Sequence, residues 1–261
     1  MMAAIAQLRR RRARAFFLLV ATEAKLAWRT PTGLVFGLGV PALLLVIFGS
    51  IPATTQPKSA FGGISFFNLY APTIMLLVLL VLGLLSLPMQ LATHRQQGVL
   101  RRMWTTPLPP SFLLGAELVL NIGLVAVGIG MVLGVGAGAF SLQLPGEVGG
   151  FVLSLVLSVT AIFSLGLCVA AVAGTAQAAN YIGAGLFYPL AFFSGLYFPI
   201  SQLGSSLVNQ ISEALPSGAA FDALHASLLG HFPSAEALGA LAGYSVVFMA
   251  AALHWFRWDV E

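Results

Sequence analysis

Charged side chains are scarce in this sequence, and their scarcity excludes a soluble domain. Asp, Glu, Lys and Arg make up 8% of the 261 residues, and hydrophobic residues make up 59%. Soluble domains contain about 25% charged residues. Only helices and closed barrels satisfy their own backbone hydrogen bonds in lipid, and the long apolar runs here favour helices. The composition therefore predicts an all-α integral membrane protein.

Cysteine, lysine and the common catalytic motifs are also nearly absent. The single cysteine, Cys168, excludes an intrachain disulfide. The two lysines, Lys25 and Lys58, do not follow a phosphate-binding loop of the form G-x-x-x-x-G-K-[ST]. No Cys or His spacing indicates a metal site, and no Ser/His/Asp group lies on polar loops. We therefore expect this chain to have no catalytic residues, bound metal or cofactor of its own.

Six apolar segments are long enough to cross a bilayer, which needs about 20 residues. They are residues 33–51, 66–91, 112–140, 148–173, 177–200 and 235–255. Residues 201–234, between the last two, contain two half-apolar stretches bounded by Pro216 and Pro233. We predict a re-entrant pair of short extracellular helices there, with a solvated surface loop as the alternative. A single membrane domain, 1–261, accounts for the chain.

The distribution of basic residues predicts the orientation, because cytoplasmic flanks hold the excess of Lys and Arg. With six spans and the N-terminus inside, Lys58 alone lies outside. The inner side then holds Arg9, Arg10, Arg11, Arg12, Arg14, Lys25, Arg29, Arg95, Arg101, Arg102 and Arg257. Both termini are therefore predicted to be cytoplasmic.

Residues 1–30 combine a basic tail with a short apolar run that imitates a signal peptide. The run is interrupted after seven residues by Thr22, Glu23 and Lys25. We predict instead an interfacial amphipathic helix lying in the headgroup plane. Its apolar face would hold Phe17, Val20, Ala21, Ala24, Ala27 and Trp28.

A polar island at residues 94–110 separates the second and third spans. Three arginines at the bilayer centre would cost roughly 8–10 kcal/mol, so the island lies in water or at the membrane surface. The prolines at its end cannot continue a helix. We predict a short helix along the membrane, available to another protein, at His94, Arg95, Gln96, Gln97, Gly98, Val99, Leu100, Arg101, Arg102, Met103 and Trp104.

Few polar groups lie within the spans. Glu117 and Asn121 form a polar corner at the inner mouth of the third span, where Glu117 can pair with Arg101 or Arg102. A structural role there is favoured over a role in transport. Three glycines at four-residue spacing, Gly130, Gly134 and Gly138, predict close helix packing, either within one subunit or in a dimer.

The second and fifth spans are rich in aromatic residues and prolines. Such surfaces suit the path of a bulky apolar or amphipathic molecule, although aromatic residues near span ends are often lipid anchors. The candidate path residues are Phe67, Tyr70, Tyr181, Phe187, Tyr188 and Phe192.

Two blocks resemble the permease subunits of type 2 ABC exporters, a family that includes daunorubicin-type drug exporters and polysaccharide exporters. The first is RQQGVLRRMWTTPLPP, which matches at Gly98, Leu100, Thr106, Pro107 and Leu108. The second runs from the Ser-Gly at the end of the fifth span to the Asp-Ala-Leu near residue 224. Gln96 and Gln97 stand where the family usually has an acid.

The resemblance implies a half-transporter in the bacterial plasma membrane. Two permeases, as a homodimer or heterodimer, would work with separate ATP-binding subunits that bind ATP and Mg²⁺, and residues 94–104 would be the coupling helix. The expected substrate is a hydrophobic or amphipathic molecule, such as a drug, a lipid or a lipid-linked glycan, and not a nucleic acid. Multidrug efflux and antibiotic resistance are possible roles. The alternatives are a stand-alone secondary transporter or channel, and a non-transporting scaffold.

Overall fold

The computed structural model describes residues 2–29, 32–58, 63–99, 111–197 and 206–255, and in these ranges the chain is helical without a β-strand. The principal helices are α1 Met2–Arg29, α2 Val35–Ser50, α3 Phe66–Gln96, α4 Ser111–Phe140, α5 Val148–Val172, α6 Ala176–Phe193, α7 Ser206–Ala214, α8 Pro216–Leu228 and α9 Ala235–Trp255. Four of them, α3, α4, α5 and α9, are long and apolar enough to cross a membrane. Since α2 is shorter and α6 begins with polar residues, the count of six spans stays a prediction.

Helix α3 lies at the centre of the bundle. Every residue from Tyr70 to Leu84 is buried, as expected for a helix that is apolar on all sides. Helices α2, α4, α5, α6 and α8 pack around it. Helices α4 and α9 lie at the periphery, with only 28% and 22% of their most apolar windows buried, so their outer faces are free to contact lipid.

Two π-helical turns interrupt the regular helices, and each one ends just before a proline. Val35–Gly39 precedes Pro41 in α2, and Val81–Ser86 precedes Pro88 in α3. Proline has no N–H and clashes with the preceding turn, so a local change in hydrogen-bond register is a usual accommodation. These turns lie at the same level of the bundle and contact each other.

The π turn of α3 leaves backbone carbonyls without their usual donors. Leu87 donates its N–H to the carbonyl of Leu82, five residues earlier. In this five-residue register the carbonyl of Gly83 would need the N–H of residue 88, and in the regular four-residue register the carbonyl of Leu84 would need it too. Residue 88 is Pro88, which has no N–H, so neither carbonyl has this donor. Both carbonyls are therefore available to neighbouring helices.

Glycines from two other helices occupy the space against these carbonyls. A Cβ atom on Gly166 of α5 would lie 1.9 Å from the Gly83 oxygen, and one on Gly183 of α6 would lie 2.2 Å from the Leu84 oxygen. Approaches this close allow Cα–H···O contacts and exclude any side chain. The centre of the bundle thus depends on glycine at these two positions.

Helix α6 is shorter than the fifth predicted span, 177–200, and that prediction was wrong at its C-terminal end. The helix ends at Phe193, where Ser194 forms the C-cap and its hydroxyl donates to the carbonyl of Ala191 at 2.8 Å. Gly195 follows with φ of 80°, a left-handed conformation that ends helices. Residues 198–200 lie outside the described residues.

The two short helices predicted between the last spans are confirmed as α7 and α8. Helix α8 is largely buried against α5, α9 and α3, and the hydroxyl of Ser154 in α5 donates to the carbonyl of Ala223 at 3.3 Å. A solvated surface loop is therefore wrong for 216–228. Re-entry into the outer leaflet stays a prediction.

Helix α1 forms as predicted, but it packs on the protein through a different face. Phe16 makes an edge-to-face contact with Phe112 of α4, with ring centroids 5.7 Å apart, and Glu23 on the same face is buried. Phe17 and Trp28, of the predicted apolar face, are 70% and 80% exposed. This leaves them available to lipid, and a position in the headgroup plane stays a prediction.

Candidate functional site

Three successive residues at the end of α3 connect to four different helices. His94 contacts acidic side chains of α1 and α4, Arg95 contacts the end of α5, and Gln96 contacts the start of α6. We call these three residues, with Glu23 and Glu117, the hub. It lies at the end of the bundle that is predicted to be cytoplasmic, where the chain enters the polar island.

A buried triad forms the first part of the hub. The His94 Nε2 atom lies 2.8 Å from Oε1 of Glu117 and 3.4 Å from Oε2 of Glu23. His94 and Glu23 are each 7% exposed, and Glu117 is 1% exposed. One imidazole therefore bridges two carboxylates, and it ties α3 to both α1 and α4.

Arg95 forms the second part of the hub. Its Nη2 donates to the carbonyls of Ala170 and Ala173 at 2.5 and 2.6 Å, at the C-terminal end of α5. The last carbonyls of a helix have no partner within the helix and carry the negative end of its dipole. A guanidinium at this place satisfies both needs, so Arg95 fixes the end of α3 to the end of α5.

Gln96 and the residues after it complete the connection. The Gln96 Oε1 accepts from the backbone N–H of Ala176 at 3.3 Å, at the start of α6. A helix that continues unbroken from His94 to Trp104 is wrong, because α3 ends at Gln96 and Gly98 has φ of 68°. Leu100, Arg101, Arg102, Met103 and Trp104 lie outside the described residues, so the coupling helix itself stays a prediction.

Amide groups extend the hub along α4. The Asn121 Nδ2 donates to the Glu117 carbonyl at 2.9 Å and to Oε1 of Gln90 at 3.1 Å. The polar corner at Glu117 and Asn121 is thus present, but the partner of Glu117 among the described residues is His94. The sequence did contain the missed residue Glu23, which lies at i+7 from Phe16 on one helical face.

An apolar cleft of about 780 Å³ opens between α2, α3 and α6. Leu77, Val81 and Leu85 of α3 line one wall, and Ala184 and Tyr188 of α6 line another. No charged residue lines it among the residues that the structure describes. Such a surface fits an apolar or amphipathic molecule of substantial size.

The predicted path residues divide between the cleft and other places. Tyr70, Phe187 and Tyr188 line the cleft. Phe67 is fully buried against Phe140 with ring centroids 6.0 Å apart. Two others point outward: Tyr181 is 65% exposed and Phe192 is 38% exposed. Their part in substrate passage stays a prediction.

A comparison with protein families decides the family of this chain. The family model described as ABC-2 type transporter, the membrane domain, matches residues 14–229. This is most of the chain and includes the hub. The chain belongs to the ABC-2 type transporter family. It is thus an integral multi-pass membrane component and not a nucleotide-binding domain. A comparison with curated proteins gives no match.

A second pocket of the ABC-2 permease, about 290 Å³, lies at the end opposite the hub. Tyr70 lines both this pocket and the apolar cleft, and its hydroxyl donates to the carbonyl of Leu196. Glu213 of α7 and Asp222 of α8 lie on the far wall. Among the described residues, Tyr70 thus lies between the apolar cleft and a second pocket that holds two carboxylates.

We expect Asp222 to make the stability of the ABC-2 permease depend on pH. Partial desolvation in the pocket, and to a lesser extent the Glu213 carboxylate, raise the pKa of Asp222 from 3.8 to about 6. The folded protein thus holds this proton more tightly than the unfolded chain, so stability falls as pH rises from about 4 to 6. We expect Asp222→Asn to melt at a higher temperature than wild type at pH 7, with the difference vanishing near pH 4.

The matched control for this prediction is Glu236→Gln, a change at an exposed acid in the first turn of α9. Thermal unfolding in detergent at several pH values measures both variants. A difference between Asp222→Asn and wild type that does not change between pH 4 and 7 would contradict the prediction.

The glycine stripe of α4 packs against none of the other residues that the structure describes. A Cβ atom on Gly130, Gly134 or Gly138 would meet nothing within 4 Å, and all three residues are exposed. Packing inside one subunit is therefore wrong among the described residues. A contact with a second subunit stays a prediction.

Proposed function

We propose that this chain is the membrane-spanning permease subunit of an ATP-driven ABC exporter. It moves a hydrophobic or amphipathic molecule out of the cytoplasm, together with a separate subunit that binds ATP and Mg²⁺. The observation that carries the proposal is the hub, because residues 94–96 connect the start of the polar island to α1, α4, α5 and α6 at once.

The hub supplies a mechanical route from the polar island to the bundle. A partner that closes on ATP would displace the segment after Gly98. The end of α3 would follow, and the hydrogen bonds of His94, Arg95 and Gln96 would pass the movement to the other helices. Packed helices move as rigid bodies with discrete arrangements, so a small shift at one end reorients whole spans. The chain itself then needs no hydrolytic activity.

The apolar cleft supports the substrate class. It lies on one side of the bundle and is lined by α2, α3 and α6 without a charged residue among those described. Two permeases around a two-fold axis would bring two such clefts together and enclose a path between them. Drugs, lipids and lipid-linked glycans all present the apolar surface that such a path accepts, and drug efflux would confer antibiotic resistance.

The distribution of buried charge favours an exporter over a secondary transporter. Among the described residues, Glu23, His94 and Glu117 are the buried charged or imidazole groups, and all lie in the hub. Proton- or ion-coupled carriers hold ionisable groups near the bilayer midplane. A cluster confined to one end does not form a relay across the membrane.

The charge asymmetry supports a plasma-membrane location with both termini in the cytoplasm. Eleven of the twelve basic residues lie on the side of the hub when six spans are counted. Reaction of an engineered cysteine at 101 with a membrane-impermeant reagent in intact bacterial cells tests this. Labelling from outside would refute the orientation and the proposal with it.

Reconstitution tests the function directly. Vesicles containing the permease and its ATP-binding partner subunit should transport a cargo only with ATP and Mg²⁺. A panel of an amphipathic drug, a phospholipid and a lipid-linked glycan identifies the cargo. Transport by the permease alone would instead establish a channel or secondary transporter, and absence of transport across the panel would favour a scaffold.

We expect Ala184→Trp to block transport without loss of folding. Ala184 lines the cleft, and an indole there fills part of the space that the cargo would occupy. ATP-driven efflux by the reconstituted complex should fall by about tenfold or more, equivalent to 1.4 kcal/mol. Ala126→Trp, on an exposed position of α4, is the control. Equal efflux by both variants would exclude the cleft as the path.

A further inference from the structure

The buried triad of the hub has the side-chain chemistry of a metal site, although no sequence motif predicted one. Glu23, His94 and Glu117 come from three different helices, and their ligand atoms all lie within 4.8 Å of one another. Each side chain is more than nine-tenths buried. An imidazole nitrogen with two carboxylate oxygens is a donor set that Zn²⁺ accepts in proteins.

Several polar atoms around the triad have no partner in the part of the chain that the structure describes. The Glu117 Oε2, the His94 Nδ1 and the Asn121 Oδ1 are buried and make no hydrogen bond with the described residues. Buried polar atoms are nearly always satisfied, so each unsatisfied atom requires an explanation. The unpaired oxygen of Glu117 is the most costly, because it belongs to a carboxylate that is 1% exposed.

A divalent cation would also balance the charge of the triad. Two carboxylates face one imidazole, and a protonated His94 would neutralise only one of them. Arg95, the next residue along α3, directs its guanidinium to the carbonyls of Ala170 and Ala173. A divalent cation would neutralise both carboxylates while His94 stays neutral and provides a lone pair.

The space beside the triad can admit an ion and its water. A cavity of about 270 Å³ is lined by all three side chains and by Gln90 and Gln97. For Zn–ligand bonds of about 2.1 Å, tetrahedral ligands lie about 3.4 Å apart. The His94–Glu23 distance already has this value. The His94–Glu117 pair, at 2.8 Å, must open by about 0.6 Å as the metal replaces the shared proton.

We propose that Glu23, His94 and Glu117 form a binding site for a divalent transition metal, Zn²⁺ in the first instance. Water from the adjacent cavity, which Gln90 and Gln97 also line, would complete the coordination. The imidazole ligand disfavours Mg²⁺ and Ca²⁺, which take oxygen ligands. The bound metal would brace α1, α3 and α4 against one another. The site does not depend on the exporter proposal.

Metal content tests the proposal. The full chain, purified in detergent with a histidine-free tag, is loaded with ZnCl₂, dialysed against a weak chelator and measured by mass spectrometry of the metal. We expect about one Zn²⁺ per chain in the wild-type protein. In His94→Ala and Glu117→Gln, Zn²⁺ should bind at least about 10–100-fold more weakly. His231→Ala and Glu236→Gln, at exposed positions far from the hub, are the matched controls.

A second measurement keeps the test decisive if a hub variant does not fold. X-ray absorption at the zinc edge of the wild-type protein should show one imidazole nitrogen and oxygen ligands at about 2.0–2.2 Å. Zn²⁺ should also raise the melting temperature of wild type and not of Glu23→Gln. A folded wild type without zinc, a spectrum without imidazole, or equal loading of the hub and control variants would each overturn the proposal.

Discussion

Replacing Gly166 by alanine should prevent the stable packing of α5 on α3. A Cβ atom there would lie 1.9 Å from the backbone oxygen of Gly83, a distance that no real contact reaches. The obstacle is backbone, not a flexible side chain, so the helices must separate. We expect a loss of about 3 kcal/mol, the upper end of the cost of overpacking. Thermal unfolding in detergent and the yield of monodisperse protein measure it.

The chain provides a matched control for this change. Gly134→Ala makes the same substitution inside a long helix, but nothing lies within 4 Å of its added Cβ. Alanine is favoured over glycine in helices by about 0.8–1.0 kcal/mol, so this variant should be as stable as wild type or more so. If Gly166→Ala melts at the same temperature as Gly134→Ala, the π turn of α3 does not contact α5 as closely as described.

Apolar length was sufficient to predict most helices of this chain. The predicted spans 112–140, 148–173 and 235–255 agree with α4, α5 and α9 to within a residue at each end. In each case the apolar run ends abruptly in polar residues, glycine or proline. The fifth span was extended too far, because its apolar composition continues past Phe193 while Gly195 ends the helix.

Contacts between helices were not predictable in the same way. The π turn at Val81–Ser86 adds one extra residue to the helix. Because this stretch is apolar on all sides, its hydrophobic pattern does not reveal the extra residue. The partner of Glu117 was sought among the arginines nearby in sequence. Among the described residues, its partner is His94, 23 residues earlier, and His94 also contacts Glu23 of α1, while Arg101 and Arg102 lie outside those residues. Only the packing of three helices places these side chains together.

Removing the guanidinium of Arg95 should uncouple ATP hydrolysis from transport. Arg95 is the described side chain that joins the end of α3 to the last carbonyls of α5, through hydrogen bonds of 2.5 and 2.6 Å. Hydrogen bonds to a charged group contribute about 1.5–3 kcal/mol. Without them, a movement of the hub should displace α5 less than in the wild-type protein. In Arg95→Ala we expect about tenfold fewer molecules transported per ATP hydrolysed by the reconstituted complex.

Two further variants separate coupling from stability in this experiment. Arg95→Lys keeps the positive charge but has no planar fork, so it should recover part of the transport per ATP. Arg29→Ala removes an arginine from the exposed end of α1 and should transport as wild type does. Thermal unfolding of each variant shows whether a loss comes from misfolding. Normal transport per ATP in a folded Arg95→Ala would show that force reaches α5 by another route, and the hub would lose its mechanical role.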